Sequence, residues 1–194
     1  MKRREAIKLA SIYMGGAVSA PAIFGVLNGC TPKPSINWEP KFLTKDQGVA
    51  VAEIAERIIP KTETPGAKDV GVPEFIDLML KDCYPKLEQD IFTKGLDLLN
   101  QQAEEDFGNS FVECSEEEQY QLLSPLNKFV AKEAKKPRFI EQDKIFFSIM
   151  KELTLLGYFT SEVGASEVLQ YNPVPSKFNG CVPWEEIGTP WATT

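Results

Sequence analysis

The sequence predicts an all-α domain, an irregular bundle of about five or six helices whose Pro/Gly-rich C-terminal coil wraps the surface. Three observations carry that prediction. Apolar residues recur at three- and four-residue spacing through most of the chain, no hairpin pattern with period-two alternation is present, and proline or glycine turns divide the helical stretches. Unequal helix lengths and interrupting prolines favour orthogonal or irregular packing over a regular bundle. No repeat at a solenoid period and no low-complexity segment stands out.

Residues 1–29 read as an export signal rather than as part of the fold: Lys2, Arg3, Arg4 and Lys8 form a basic start, and an uncharged run from Leu9 to Leu27 follows. Gly15, Gly16, Gly25, Ser11, Ser19 and Pro21 dilute that run, which argues against a permanent membrane-spanning helix. Arg3 and Arg4 followed by Ile7 and Lys8 resemble the twin-arginine signal, with Ala6 where an aromatic residue is usual. An ordinary basic leader is the alternative. Leu27-Asn28-Gly29-Cys30 resembles a lipobox, which makes Cys30 the candidate lipidation site, against a free or disulfide-bonded thiol.

Residues 30–43 form a tether, and a single helical domain is expected over 44–194. In the tether Trp38 and Phe42 are isolated apolar residues placed to dock on the body of the domain. Thr44 and Gln47 make a capping-box pattern that opens the first helix, whose inner residues are Val49, Ala52, Ile54, Ala55, Ile58 and Ile59 before Pro60 ends it. Asp46, Glu53, Glu56 and Arg57 read as its solvated face. The loop to Pro73 contains Pro65-Gly66, which favours a type II turn, beside Thr62, Glu63 and Thr64, whose oxygens either cap the turn or face a ligand.

Pro73 to Cys83 places Phe75, Ile76, Met79 and Leu80 at helical spacing. A longer helix runs to about Phe107, with Ile91, Phe92, Leu96, Leu98 and Leu99 inside, until Gly108-Asn109 stops it. Ser115 and Glu118 form a second capping box, opening a helix that carries Tyr120, Leu122, Leu123, Leu126, Phe129 and Val130. Pro125 should kink that helix or split it. Lys132, Lys135, Lys136 and Arg138 suit a helix C-terminus and its macrodipole. The last helix, from about Ile140 to Leu156, has Ile145, Phe146, Ile149, Met150, Leu153 and Leu156 as its inner stripe.

From Lys151 to Trp184 the chain changes from an apolar helical stripe to coil. Gly157, Gly164 and Gly180 offer backbone freedom, and Pro173, Pro175 and Pro183 stiffen the coil. Such a tail must lie on something, either its own core or another protein.

Histidine is absent, which excludes Ser-His-Asp and Cys-His catalysis, His-ligated zinc and haem, and CxxCH haem attachment. Cys30, Cys83, Cys114 and Cys181 are too scattered for a CxxC site. Cys114 reads as a buried core thiol. Cys83 and Cys181 lie in turn-like sequence, where an oxidising compartment permits a disulfide within the chain or from Cys181 to a partner. A general base would have to be a tuned carboxylate or lysine, and Glu63 and Glu162 are the candidates. Of the 21 basic and 28 acidic residues, 17 and 27 remain from Cys30 onward, a net charge of −10. That acidity argues against nucleic-acid binding and for a protein partner.

Two blocks carry a family resemblance. Ile58-Ile59-Pro60-Lys61-Thr62-Glu63-Thr64-Pro65-Gly66-Ala67 with Gly71-Val72-Pro73 and Phe75-Ile76-Asp77 is the first. The second is Lys151 to Glu162 with Gly164-Ala165, then Tyr171-Asn172-Pro173-Val174-Pro175 with Gly180-Cys181. Together they resemble the gluconate 2-dehydrogenase subunit 3 family over about residues 43–184, with Glu63 where Asp is frequent and Ser176 where Gly is frequent. The resemblance implies a small, cofactor-free subunit of a membrane-associated dehydrogenase. Its implied partner is a flavoprotein of the glucose-methanol-choline (GMC) type carrying FAD, often joined by a multihaem cytochrome c. The small subunit would carry the export signal for both, to the periplasmic side of a bacterial membrane. Tyr158, Phe159, Tyr171, Pro173, Pro175 and Cys181 are then the candidate partner surface. An autonomous helical envelope lipoprotein is the competing reading.

Overall fold

The computed structural model describes residues 34–133, 146–171, 174 and 180–192. Among these the structure is helical, without strands. Five long helices form the body: α1 (Lys45–Ile58), α2 (Val72–Cys83), α3 (Lys86–Phe107), α4 (Glu116–Glu133) and α5 (Phe146–Thr160). A 3-10 turn, Phe111–Glu113, joins α3 to α4, and a π turn, Gly164–Val168, follows α5. The tail contains a one-turn helix, α6 (Trp184–Ile187), and a bridge between Gln170 and Trp191, so its described part is more ordered than the coil expected. No helix among the described residues is long and apolar enough to cross a membrane.

The most apolar helix, α5, lies at the centre and touches each of the other four long helices. Its buried residues, Phe146, Phe147, Ile149, Met150, Leu153, Thr154, Gly157 and Tyr158, cover one broad side of the helix, while Leu155, Leu156 and Phe159 on the other side are exposed. Phe146 meets Phe92 of α3 edge to face at 6.2 Å, and Gly95 lies against the same ring, leaving no room there for a side chain. Thr154 satisfies its buried hydroxyl by donating to the Met150 carbonyl at 2.7 Å.

Both capping boxes form. The Thr44 hydroxyl accepts from the Gln47 amide while the Gln47 side chain accepts from Thr44 N–H, and Ser115 and Glu118 reciprocate in the same way. The start of α2 follows Gly71, whose φ of 75° is left-handed, and α3 ends on Gly108 at φ 72°. Gln89 draws α2 and α3 together by donating to the Leu80 and Tyr84 carbonyls at 2.8 and 3.1 Å. Gln119 likewise pins the 3-10 turn, donating to the Phe111 carbonyl at 3.0 Å.

Several expectations are corrected. Of the two outcomes expected at Pro125, a kink or a split, the split does not occur, and α4 runs unbroken past it. The final helix extends to Thr160 rather than ending near Leu156; its expected start from Ile140 through Ile145, and Lys135, Lys136 and Arg138 of the basic cluster before it, lie outside the described residues. Leu98, Leu156, Tyr120 and Phe129, read as inner positions, are exposed. The supposed solvated face of α1 is largely covered: Glu53 is buried with the Lys68 ammonium 2.5 Å away, and Glu56 accepts from the Lys61 and Lys68 amides. Packing also starts ahead of Thr44. Gly48 of α1 lies against Ile36, Pro40 and Trp38, and the buried Asp77 carboxylate accepts from the amides of Lys41, Phe42 and Leu43 at 2.6, 3.1 and 2.8 Å. Docking of Trp38 and Phe42 on the body is therefore observed, with Asp77 as its anchor.

Candidate functional site

The loop after α1 and the C-terminal half of α5 are far apart in sequence and meet in space. Glu56 shapes the loop from beneath, its two carboxylate oxygens taking the amides of Lys61 at 2.9 Å and Lys68 at 3.1 Å. Gly66 sits directly on that carboxylate, so any side chain there would displace it. Its φ is not positive, which rules out the expected type II turn; glycine is required for the close approach instead. The Pro65 carbonyl accepts from the Tyr158 hydroxyl at 2.8 Å. Next to Tyr158, a Cβ on Gly157 would lie 2.6 Å from the Phe75 ring of α2.

Beyond Tyr158 the chain turns sharply. The Ser161 hydroxyl donates to the Tyr158 carbonyl at 2.7 Å and accepts from the Gly164 amide at 3.0 Å, and Gly164 packs against the same carbonyl. Thus Gly157 and Gly164 supply space where backbone freedom was expected. Tyr158 is only 2% exposed, so of the candidate partner residues it acts from beneath the surface and not on it. Phe159 is 37% exposed and holds its ring edge-on to Tyr158 at 5.3 Å. With Leu155 and Leu156 one turn before it, Phe159 forms an exposed apolar strip at helical spacing. In the tail Tyr171, Val174, Trp184 and Trp191 are exposed, while Pro173 and Pro175 lie outside the described residues.

A model of the family described as gluconate 2-dehydrogenase subunit 3 matches residues 45–176. The chain belongs to that family. No curated protein and no solved structure matches it. The match spans α1 to the start of the tail and contains the whole loop–α5 junction, while Gly180 and Cys181 lie beyond it. By the family's name, this subunit 3 chain is one component of a multi-subunit dehydrogenase.

The remaining candidates are dispersed. Arg3, Arg4 and Cys30 lie outside the described residues. Glu63 and Glu162 are both exposed, without the burial that tunes a carboxylate base, and the Thr62 amide donates to the Thr64 carbonyl within the loop itself. No group of His, Cys, Asp and Glu among the described residues could hold a metal. Cys83 and Cys181 are exposed free thiols, so no bond joins them in this structure. Cys114 is the buried thiol expected, and burial raises its pKa above the ordinary value.

Two surface features were not anticipated. Between α3 and α4 runs an apolar groove of about 1150 Å³, lined by Leu98, Leu99, Leu122, Leu126, Phe129 and Phe146 and rimmed by Lys94, Glu105 and Asp106. Leu98 and Phe129 belong to stripes that read as inner, and only their exposure marks the groove. The second feature is a small recess between α1, α4 and α5 that contains Arg57 and Lys151. Its sequence signal was slight: two cations on separate helices, each beside apolar neighbours.

Proposed function

We propose that this subunit is non-catalytic: it binds, stabilises and co-exports the flavoprotein of a membrane-associated dehydrogenase acting on sugars, sugar acids or polyols. The partner is of the GMC type and carries FAD; a multihaem cytochrome c is a further component of some such assemblies. Lipidated Cys30 anchors the complex on the periplasmic side of the membrane, and Arg3 and Arg4 direct its export in folded form.

Family membership over residues 45–176 is the observation that supports this reading. The exposed strip of Leu155, Leu156 and Phe159 adds an apolar surface on a helix whose opposite side is fixed in the core. The chain has no histidine to ligate haem and no cysteine cluster for an iron–sulfur centre, so twin-arginine export makes sense if the folded cargo is the partner. The test is to change Arg3 and Arg4 to Lys and follow both proteins. Flavoprotein retained in the cytoplasm is the expected result; export of both unaltered would overturn the shared route. Affinity-tagged subunit should bring down a yellow flavoprotein, whereas recovery of the subunit alone would favour an autonomous lipoprotein.

A further inference from the structure

The recess between α1, α4 and α5 is lined by Arg57, Lys151, Tyr120, Ser124 and Asn127, with Ile58, Leu123 and Phe147 as its apolar wall. In a domain with an excess of ten acidic residues, two cations share this small space, and among the described residues no carboxylate lines it. The Arg57 side chain is only 18% exposed, and its Nη2 pairs with Glu116 at 3.0 Å. Its Nε–H is fully buried and finds no acceptor among the described residues. A buried donor left without a partner is costly, and a charged one especially so. Nε and Nη2 form the edge of a guanidinium that grips two oxygens of one anion, yet Glu116 occupies only the Nη2 half.

The Lys151 ammonium donates to Asn127 Oδ1, also in the lining, at 2.7 Å, which holds it in place and leaves further N–H donors available. The Ser124 and Tyr120 hydroxyls complete a donor-rich lining, and Tyr120 is exposed, so solvent reaches it. A volume of about 160 Å³ is of the order of cavities that take a benzene-sized molecule.

We propose that this recess binds a small oxyanion, of carboxylate or phosphate size, between Arg57 and Lys151. The Lys151 ammonium donates to one anion oxygen, and a turn of the Arg57 side chain brings its orphaned Nε–H, covered in this structure, to bear on another. Glu116, 80% exposed on its side chain at the rim, competes for Nη2 and sets the affinity. The site does not depend on the dehydrogenase assembly.

The test is titration of the full-length protein with inorganic phosphate and, separately, acetate, against chloride at matched ionic strength, following the Arg57 Nε–H resonance by NMR. A saturable shift with either anion is expected, and which anion gives it identifies the ligand class. Lys151→Met should weaken binding at least about tenfold, the effect of losing one charged hydrogen bond. Lys151→Arg should retain most of it, and Glu116→Gln should tighten it. Thermal melts establish that each variant is folded. No saturable shift with either anion, or equal binding by wild type and a folded Lys151→Met variant, overturns the proposal.

Discussion

The Tyr158 hydroxyl donates to the Pro65 carbonyl at 2.8 Å, joining residues 93 apart in sequence. This bond fastens the loop after α1 to the end of the central helix, while the tyrosine ring fills the core. Tyr158→Phe keeps the ring and removes the bond, which should cost about 0.5–1.5 kcal/mol. Tyr158→Ala empties the site as well and should cost about 3–5 kcal/mol, the range for large aromatic truncations. Urea unfolding measures both. An unchanged midpoint in Tyr158→Phe would mean that the bond contributes nothing net.

Asp77 holds the segment ahead of α1 by accepting three backbone amides. Asp77→Ala leaves those amides without their acceptor, and breaking a buried charged contact on one side typically costs about 3–5 kcal/mol. The loss should be local first: residues 36–43 should become cleavable by added protease before the helices do. Equal protection in variant and wild type would rule out the anchoring role.

Periodicity made the helices legible, because an amphipathic helix in water must repeat its apolar residues near every 3.6 positions. Thr44 and Ser115 gave two starts correctly, since capping is a local interaction. Periodicity says less about which side of a helix is finally covered. Leu98 and Leu156 extend apolar stripes by one position and emerge at the surface, whereas Glu53 and Arg57 look solvated and are covered by other parts of the fold. Asp77 lies beside Ile76 on the buried side of α2, and a carboxylate in that register announces that it needs donors without saying which. The loop–α5 junction was visible as two sequence blocks, but their contact is tertiary. The Arg57 recess combines three helices and had no local pattern to reveal it.

Gly157 should resist substitution for a reason that depends on one neighbour. Alanine gains about 1 kcal/mol of helix propensity over glycine. Its Cβ would approach the Phe75 ring to 2.6 Å, and overpacking of this kind costs about 1–3 kcal/mol. Gly157→Ala should therefore be neutral to destabilising in the native background and stabilising relative to its parent when Phe75 is replaced by Leu. The same effect in both backgrounds would show that the two sites are uncoupled.

Glu116 provides a test in pH. Its hydrogen bond to Arg57 and the charge of that guanidinium hold its carboxyl below the usual range. A depressed folded-state pKa means that the pair's stabilisation is present above the unfolded value, about 4.3, and is lost as pH falls through the lower folded value. The side chain is exposed, so the effect on global stability should be slight. Carboxyl NMR should place the Glu116 midpoint below that of a free glutamate, and Arg57→Gln should move it upward. No movement would dissociate the shift from the ion pair.

The exposed strip on α5 should be where the partner subunit is gripped. Phe159 is already held edge-on by a buried tyrosine, so less side-chain freedom remains to be lost when a partner covers it. Leu155 and Phe159 are exposed, so aspartate at either position should leave the isolated subunit folded. At the centre of an interface, such a charge would be desolvated without a counterion, and hot-spot losses of about 2 kcal/mol or more correspond to affinity falling by about thirtyfold. Leu98→Asp, in the groove between α3 and α4, should leave the complex intact. Capture of the flavoprotein by tagged subunit, compared across Leu155→Asp, Phe159→Asp and Leu98→Asp, separates the two surfaces. Loss with the two α5 variants alone places the interface on the strip; loss with Leu98→Asp alone moves it to the groove.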